Sequence, residues 1–202
     1  MHKSTLKPLS PAQNETPDMT SASIVAGICR IEPVLRRWPR VLQSRLADRA
    51  EALGRSELKV TTDGVEVQLS RSHSRGYSAA ALGKGDFRLG IDVELEDPRR
   101  DWPGIVSRYA PDLIAVDIDA ETGARCWTFL EAFYKAEGRV PPAGMIERVA
   151  STPDQALVVL DKSSSAFASF TRLPDGFALC VYARDTGIAA PLILPVQPVD
   201  NV

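Results

Sequence analysis

Leu89-Gly90-Ile91-Asp92-Val93-Glu94-Leu95 sets Leu, Ile, Val and Leu in strict alternation with Gly, Asp and Glu. That period of two is the signature of a strand with one buried face. On such a strand Asp92 and Glu94 project from the same face, with Cα atoms about 7 Å apart. Two neighbouring carboxylates repel unless a positive group stands with them. A hard divalent cation is one candidate, since Mg²⁺ takes oxygen ligands, usually one or two carboxylates with phosphates and water completing its shell. A solvated strand face is the other.

The surrounding chain supplies the frame. Its 202 residues fit one domain or two small halves sharing a core, and 44% hydrophobic with 25% charged residues is ordinary for a globular protein. The formal charge of −2 gives no bulk attraction to nucleic acid or a membrane. The charge is unevenly spread, however. Residues 30–55 carry seven arginines against Glu32, Asp48 and Glu51, a patch suited to an anionic ligand, an acidic partner or plain solvent. Cys29, Cys126 and Cys180 are odd in number and widely spaced, which gives neither a disulfide framework nor a zinc motif and points to the cytoplasm. No 18-residue apolar run and no signal-peptide core is present.

In chain order, residues 1–22 read as a mobile polar tail. Leu35, Trp38, Leu42, Leu46, Ala50 and Leu53 recur at helical spacing before Gly54. Residues 57–60 and 65–69 read as strands around Asp63-Gly64. The polar run 70–76 reads as a turn bearing His73, Tyr77–Leu82 as a strand, and Phe87–Leu95 as the central strand. Residues 102–113 suggest a helix, 114–123 a loop, and Trp127–Gly138 a second helix with Gly138 as its stop. Three strands follow at 155–160, 166–170 and 177–183, the last two joined by Asp175-Gly176. The Pro-rich residues 186–202 read as an extended tail. The order helix then strands occurs twice, before Leu89 and after Trp127.

On the second helix Glu131 and Lys135 stand at i, i+4 beside an apolar face of Trp127, Leu130, Phe133 and Tyr134. Alone, they form a surface ion pair worth a few tenths of a kcal/mol. Alternatively, Glu131 joins Asp92 and Glu94 as a third oxygen ligand and leaves Lys135 for a phosphate. His73, flanked by serines, is a surface residue or a donor to a phosphate oxygen.

Ser72-His73-Ser74, then Gly90-Ile91-Asp92-Val93-Glu94, then Trp127-Thr128-Phe129-Leu130-Glu131-Ala132-Phe133-Tyr134-Lys135-Ala136 resembles the 4′-phosphopantetheinyl transferases of the surfactin-synthetase type, in order and spacing. The resemblance spans residues 35–183. It implies an α+β fold of two similar halves about a pseudo-two-fold axis, a short first half at 23–88 and a second at 89–185. It also implies Mg²⁺-dependent transfer of phosphopantetheine from coenzyme A to a serine of an acidic acyl, peptidyl or aryl carrier protein, releasing 3′,5′-ADP. Asp92, Glu94 and Glu131 would hold the metal, with Glu131 or its water as base and Lys135 on the phosphates. His73 and Ser72 would contact coenzyme A, and a cytoplasmic monomer is expected. Two departures stand out: Leu130 occupies the family's lysine position, and the first half has no clear motif. Arg36, Arg37, Arg40 or Arg45 would bind the 3′-phosphate, although none can be matched residue by residue. Two other readings are a catalytically weakened relative that binds coenzyme A or a carrier, and a metal-dependent phosphohydrolase.

Overall fold

The computed structural model describes residues 24–30, 46, 67–115, 118–152 and 155–195. Strands β1 (Ile24–Arg30), β2 (Val67–Ser74), β3 (Tyr77–Lys84) and β4 (Arg88–Leu95) come first. Then come helix α1 (Trp102–Val106), a 3₁₀ turn at Pro111–Ala115, and helices α2 (Ala120–Glu137) and α3 (Ala143–Ala150). Strands β5 (Leu157–Asp161), β6 (Ala166–Leu173), β7 (Phe177–Arg184) and β8 (Leu192–Pro195) complete the order.

The eight strands form two four-stranded sheets, ordered β2-β3-β1-β8 and β4-β7-β6-β5. In the first, β1 runs antiparallel to β3, and β3 to β2. In the second, β4 runs antiparallel to β7, and β7 to β6. The fold is therefore α+β. No helix among the described residues is long and apolar enough to cross a membrane.

The alternation of β4 explains its place in the core. Leu89, Ile91 and Val93 face a cluster containing Ile24, Ala26, Ala79 and Ala81 of the first sheet and Leu179 and Val181 of β7. Ala168, Phe170, Cys180 and Tyr182 lie on the opposite face of the second sheet, packed with Phe129, Phe133 and Ile146 of the helices. The second sheet is thus the middle layer. Each large side chain fully buried there contributes about 1.5–3 kcal/mol. Gly90 lets α2 come close, because a Cβ at that position would collide with the Ala132 carbonyl.

Several local readings change. The polar run at 70–76 is not a turn through His73: β2 continues to Ser74, and the reversal is confined to Arg75-Gly76, where Arg75 has φ 41°. Pairing with the apolar β3 holds this polar segment extended. The second helix begins seven residues before Trp127, inside the segment read as a loop. Asp119 caps it by accepting from the Thr122 N–H at 2.8 Å, with Glu121 in the first turn, and Gly138 ends it at φ 69°. The helix expected over 102–113 stops at Val106 and gives way to the 3₁₀ turn. Helix α3 was not anticipated; it is only eight residues long and follows Pro141-Pro142 directly. Asp175-Gly176 does make the β6–β7 turn, with φ 66° and 72°. The Pro-rich end contributes β8, which pairs parallel with β1.

Of the helix expected over 35–53, only Leu46 is described, as helical and fully buried. Arg36, Arg37, Arg40, Arg45 and the Asp63-Gly64 turn lie outside the described residues, as do residues 1–22.

Candidate active site at the seam between the sheets

β2 and β4 are the facing edges of the two sheets. Serine hydroxyls join them where a backbone ladder would otherwise run. Ser70 Oγ accepts from the Ile91 N–H at 3.0 Å and Ser72 Oγ from the Val93 N–H at 3.4 Å. Ser72 and Ser74 face the acids of β4. Ser72 Oγ donates to Asp92 Oδ1 at 2.6 Å, and Ser74 Oγ to Glu94 Oε1 at 3.0 Å.

Asp92 is buried, and helix α2 brings Lys135 to it. Lys135 Nζ lies 2.7 Å from Asp92 Oδ1 and 3.0 Å from the Ile91 carbonyl. Burial raises the Asp92 carboxyl above its ordinary value, against the pull of Lys135 and Ser72, and nearby Glu131 pushes it the same way. The i, i+4 surface pair between Glu131 and Lys135 is therefore not the one formed, since the ammonium turns inward to Asp92. Glu131 is half-buried and makes no hydrogen bond or ion pair among the described residues.

Glu94 is fully engaged. Its Oε1 also accepts from the Leu95 N–H at 3.0 Å, and Oε2 meets Arg100 Nη1 at 3.2 Å. The Arg100 guanidinium lies over Trp102 and Trp127, 4.6 Å and 5.1 Å from the ring centroids. Just beyond, Arg99 grips Asp97 through Nε at 3.0 Å and Nη2 at 3.1 Å, and Arg75 reaches it at 3.2 Å. The Arg99 hydrogen bonds hold the Asp97 carboxyl well below the usual range.

The seam thus brings together Ser72, Asp92, Glu94, Glu131 and Lys135. His73 is exposed, and its place between Ser72 and Ser74 on β2 directs it away from their side. Leu130 is buried in the helical core. Two cations near it in sequence are engaged elsewhere: Arg125 donates to the Thr152 and Gln155 carbonyls, and Arg139 lies over Phe133. Arg75, Arg99, Asp97 and Arg100 were missed by sequence reading. The only signal was two adjacent arginines after a strand and before a tryptophan, a pattern too common to single out. Cys126 and Cys180 are buried free thiols, and burial pushes Cys126 up to about 12, so neither offers a thiolate.

Among the described residues no group of three or more His, Cys, Asp or Glu side chains is arranged to hold a metal ion. The donor chemistry fits a smaller set. Asp92 Oδ2 accepts no hydrogen bond from a described residue, because Ser72 and Lys135 both use Oδ1. Glu131 stands near with its carboxylate open, whereas Glu94 is taken by Ser74, Leu95 and Arg100. Two hard carboxylates suffice for Mg²⁺ when phosphate and water complete the shell.

No protein-family model matches the chain, and no curated protein matches it.

Proposed function

We propose that this chain is a 4′-phosphopantetheinyl transferase, moving phosphopantetheine from coenzyme A to a serine of an acidic carrier protein in the cytoplasm. One observation carries the reading: three separate pieces of sequence that resemble the family converge on one cluster. Ser72 and Ser74 meet Asp92 and Glu94, and Lys135 meets Asp92, across separations of 20 to 43 residues. With the outer strands β8 and β5 set aside, the order β1-β3-β2 of the first sheet recurs as β4-β7-β6 in the second, which supports two similar halves about a pseudo-two-fold axis.

In this mechanism the carrier serine hydroxyl attacks the phosphorus that bears the pantetheine arm. The new P–O bond forms as the pyrophosphate P–O bond breaks, and 3′,5′-ADP leaves. Glu131, or a water it holds, takes the hydroxyl proton. Lys135 neutralises charge on the phosphate oxygens, and Asp92 and Ser72 aim its ammonium. Asp92 and Glu131 would hold Mg²⁺, which supplies Lewis-acid stabilisation of the pyrophosphate. Glu94 orients Arg100 and Ser74. A weakened coenzyme-binding relative is the second reading, favoured by Leu130 being core rather than a phosphate contact.

The test is mass spectrometry of apo acyl, peptidyl and aryl carrier proteins incubated with the chain, coenzyme A and Mg²⁺. A mass gain of one phosphopantetheine on the carrier serine supports transfer. Coenzyme binding with no gain on any carrier supports the second reading. Release of phosphate products without a carrier points to a phosphohydrolase.

A further inference from the structure

We infer that Arg100 is a phosphate-binding residue of this site, aimed at the coenzyme's pyrophosphate by Trp102, Trp127 and Glu94. The inference rests on the transferase reading and adds a residue that no motif supplied.

Three contacts define the guanidinium: the two indole rings at 4.6 Å and 5.1 Å and the Glu94 carboxylate at 3.2 Å. The platform is itself fixed. Trp102 is buried and its indole N–H donates to the Asp97 carbonyl at 2.8 Å, while Trp127 packs against Tyr109 at 6.4 Å between centroids. An arginine stacked in this way loses little freedom on binding, and its planar fork matches a phosphate edge in a way that an ammonium does not.

The neighbouring cations are less suited. Lys135 gives two of its three N–H groups to Asp92 and the Ile91 carbonyl, which leaves one for a phosphate oxygen. Arg99 and Arg75 have 82% and 56% of their side chains exposed and are held by Asp97 alone among the described residues, whereas Arg100 is 34% exposed. Arg100 therefore combines a fixed position, access to solvent and four N–H groups beyond the one bonded to Glu94. Its neighbour Glu94 shares a strand face with Asp92, so the fork borders the oxygens that face the substrate.

Isothermal titration of coenzyme A and of 3′-dephospho-coenzyme A into wild type, Arg100→Ala and Arg100→Lys tests this. Arg100→Ala should weaken both ligands by about 10- to 100-fold, the scale of one charge-assisted phosphate contact. Arg100→Lys keeps the counter-charge on Glu94, guards against a folding loss, and should recover only part of the affinity because it lacks the fork. Both variants should raise the coenzyme KM more than they lower kcat. If both bind coenzyme A within about twofold of wild type, the inference falls while the transferase reading stands. A loss confined to coenzyme A and absent with the dephospho form puts Arg100 on the 3′-phosphate and overturns the pyrophosphate assignment. If wild type does not bind coenzyme A, the transferase reading and this inference fall together.

Discussion

Replacing Lys135 with methionine keeps the stem that packs along α2 and removes the ammonium that lies 2.7 Å from Asp92 and 3.0 Å from the Ile91 carbonyl. Removing one partner of a buried ion pair costs about 3–5 kcal/mol, because the other charge is left without compensation. Lys135 retains 28% side-chain exposure, so the low end applies: about 3 kcal/mol. For a chain of this size that is a fall in melting temperature of about 6–12 °C. The loss should depend on pH with a definite sign. Burial already raises the Asp92 carboxyl above its ordinary 3.8, and without the ammonium it rises further. A carboxyl raised on folding adds stability while protonated and loses that contribution as pH climbs through the folded value. The gap between wild type and Lys135→Met should therefore be small near pH 4, about the unfolded carboxyl value, and widen toward neutrality. Urea denaturation at both pH values, with Asp92→Asn and the double variant, closes the cycle. Asp92→Asn should rescue much of the lysine variant's loss, with a coupling of about 1.5–3 kcal/mol at neutral pH. An equal loss at both pH values, with the two substitutions additive, would refute the claim that this contact holds a buried charge.

Three further expectations follow from the residues of the seam and its core, and a fourth from the arginine-rich segment. Gly90→Ala should cost about 1–3 kcal/mol by forcing α2 off β4, and unchanged urea stability would show that the helix has room to move. Leu130→Lys should destabilise the chain by about 2–5 kcal/mol, the scale of losing a packed leucine, rather than improve coenzyme binding; a tighter coenzyme dissociation constant in a stable variant would reverse that view. Asp92→Ala should abolish carrier modification while the protein still melts cooperatively, and full activity at saturating Mg²⁺ would remove Asp92 from the site. Arg40→Glu with Arg45→Glu should weaken coenzyme or carrier binding and flatten its salt dependence; an unchanged salt slope would mark that segment as merely solvated.

Chemistry and structure were unequally legible in the sequence. Strand β4 and its apolar face could be read directly, because alternation over seven residues fixes which residues share a face. That the opposite face, with Gly90 and Asp92, is buried as well came only with the packing of α2. The β6–β7 hairpin was equally plain, since Asp175-Gly176 accepts the positive φ that a tight turn demands. Asp92, Glu94, Glu131 and Lys135 were recognisable as residues of interest from strand and helix periodicity and from the motif order. Local pattern settles such features because only a residue's own backbone and near neighbours decide them.

What Lys135 pairs with could not be read that way. Helical spacing offered Glu131, but packing α2 against Gly90 turned the ammonium toward Asp92, where the unmet charge is more deeply buried. His73 illustrates the same limit. Its polar neighbours suggested a turn, yet the ladder to β3 kept it in a strand and set it opposite the serines that touch the acids. Arg75 gained its role only when the edge of one sheet met the edge of the other, and Arg100 only when α2 set Trp127 beside it. By itself the sequence determined which segments carry a buried face and which residues carry charge. The tertiary structure alone decided which charges share a desolvated space, because that depends on how separate faces are brought together and not on the order of residues within any one of them.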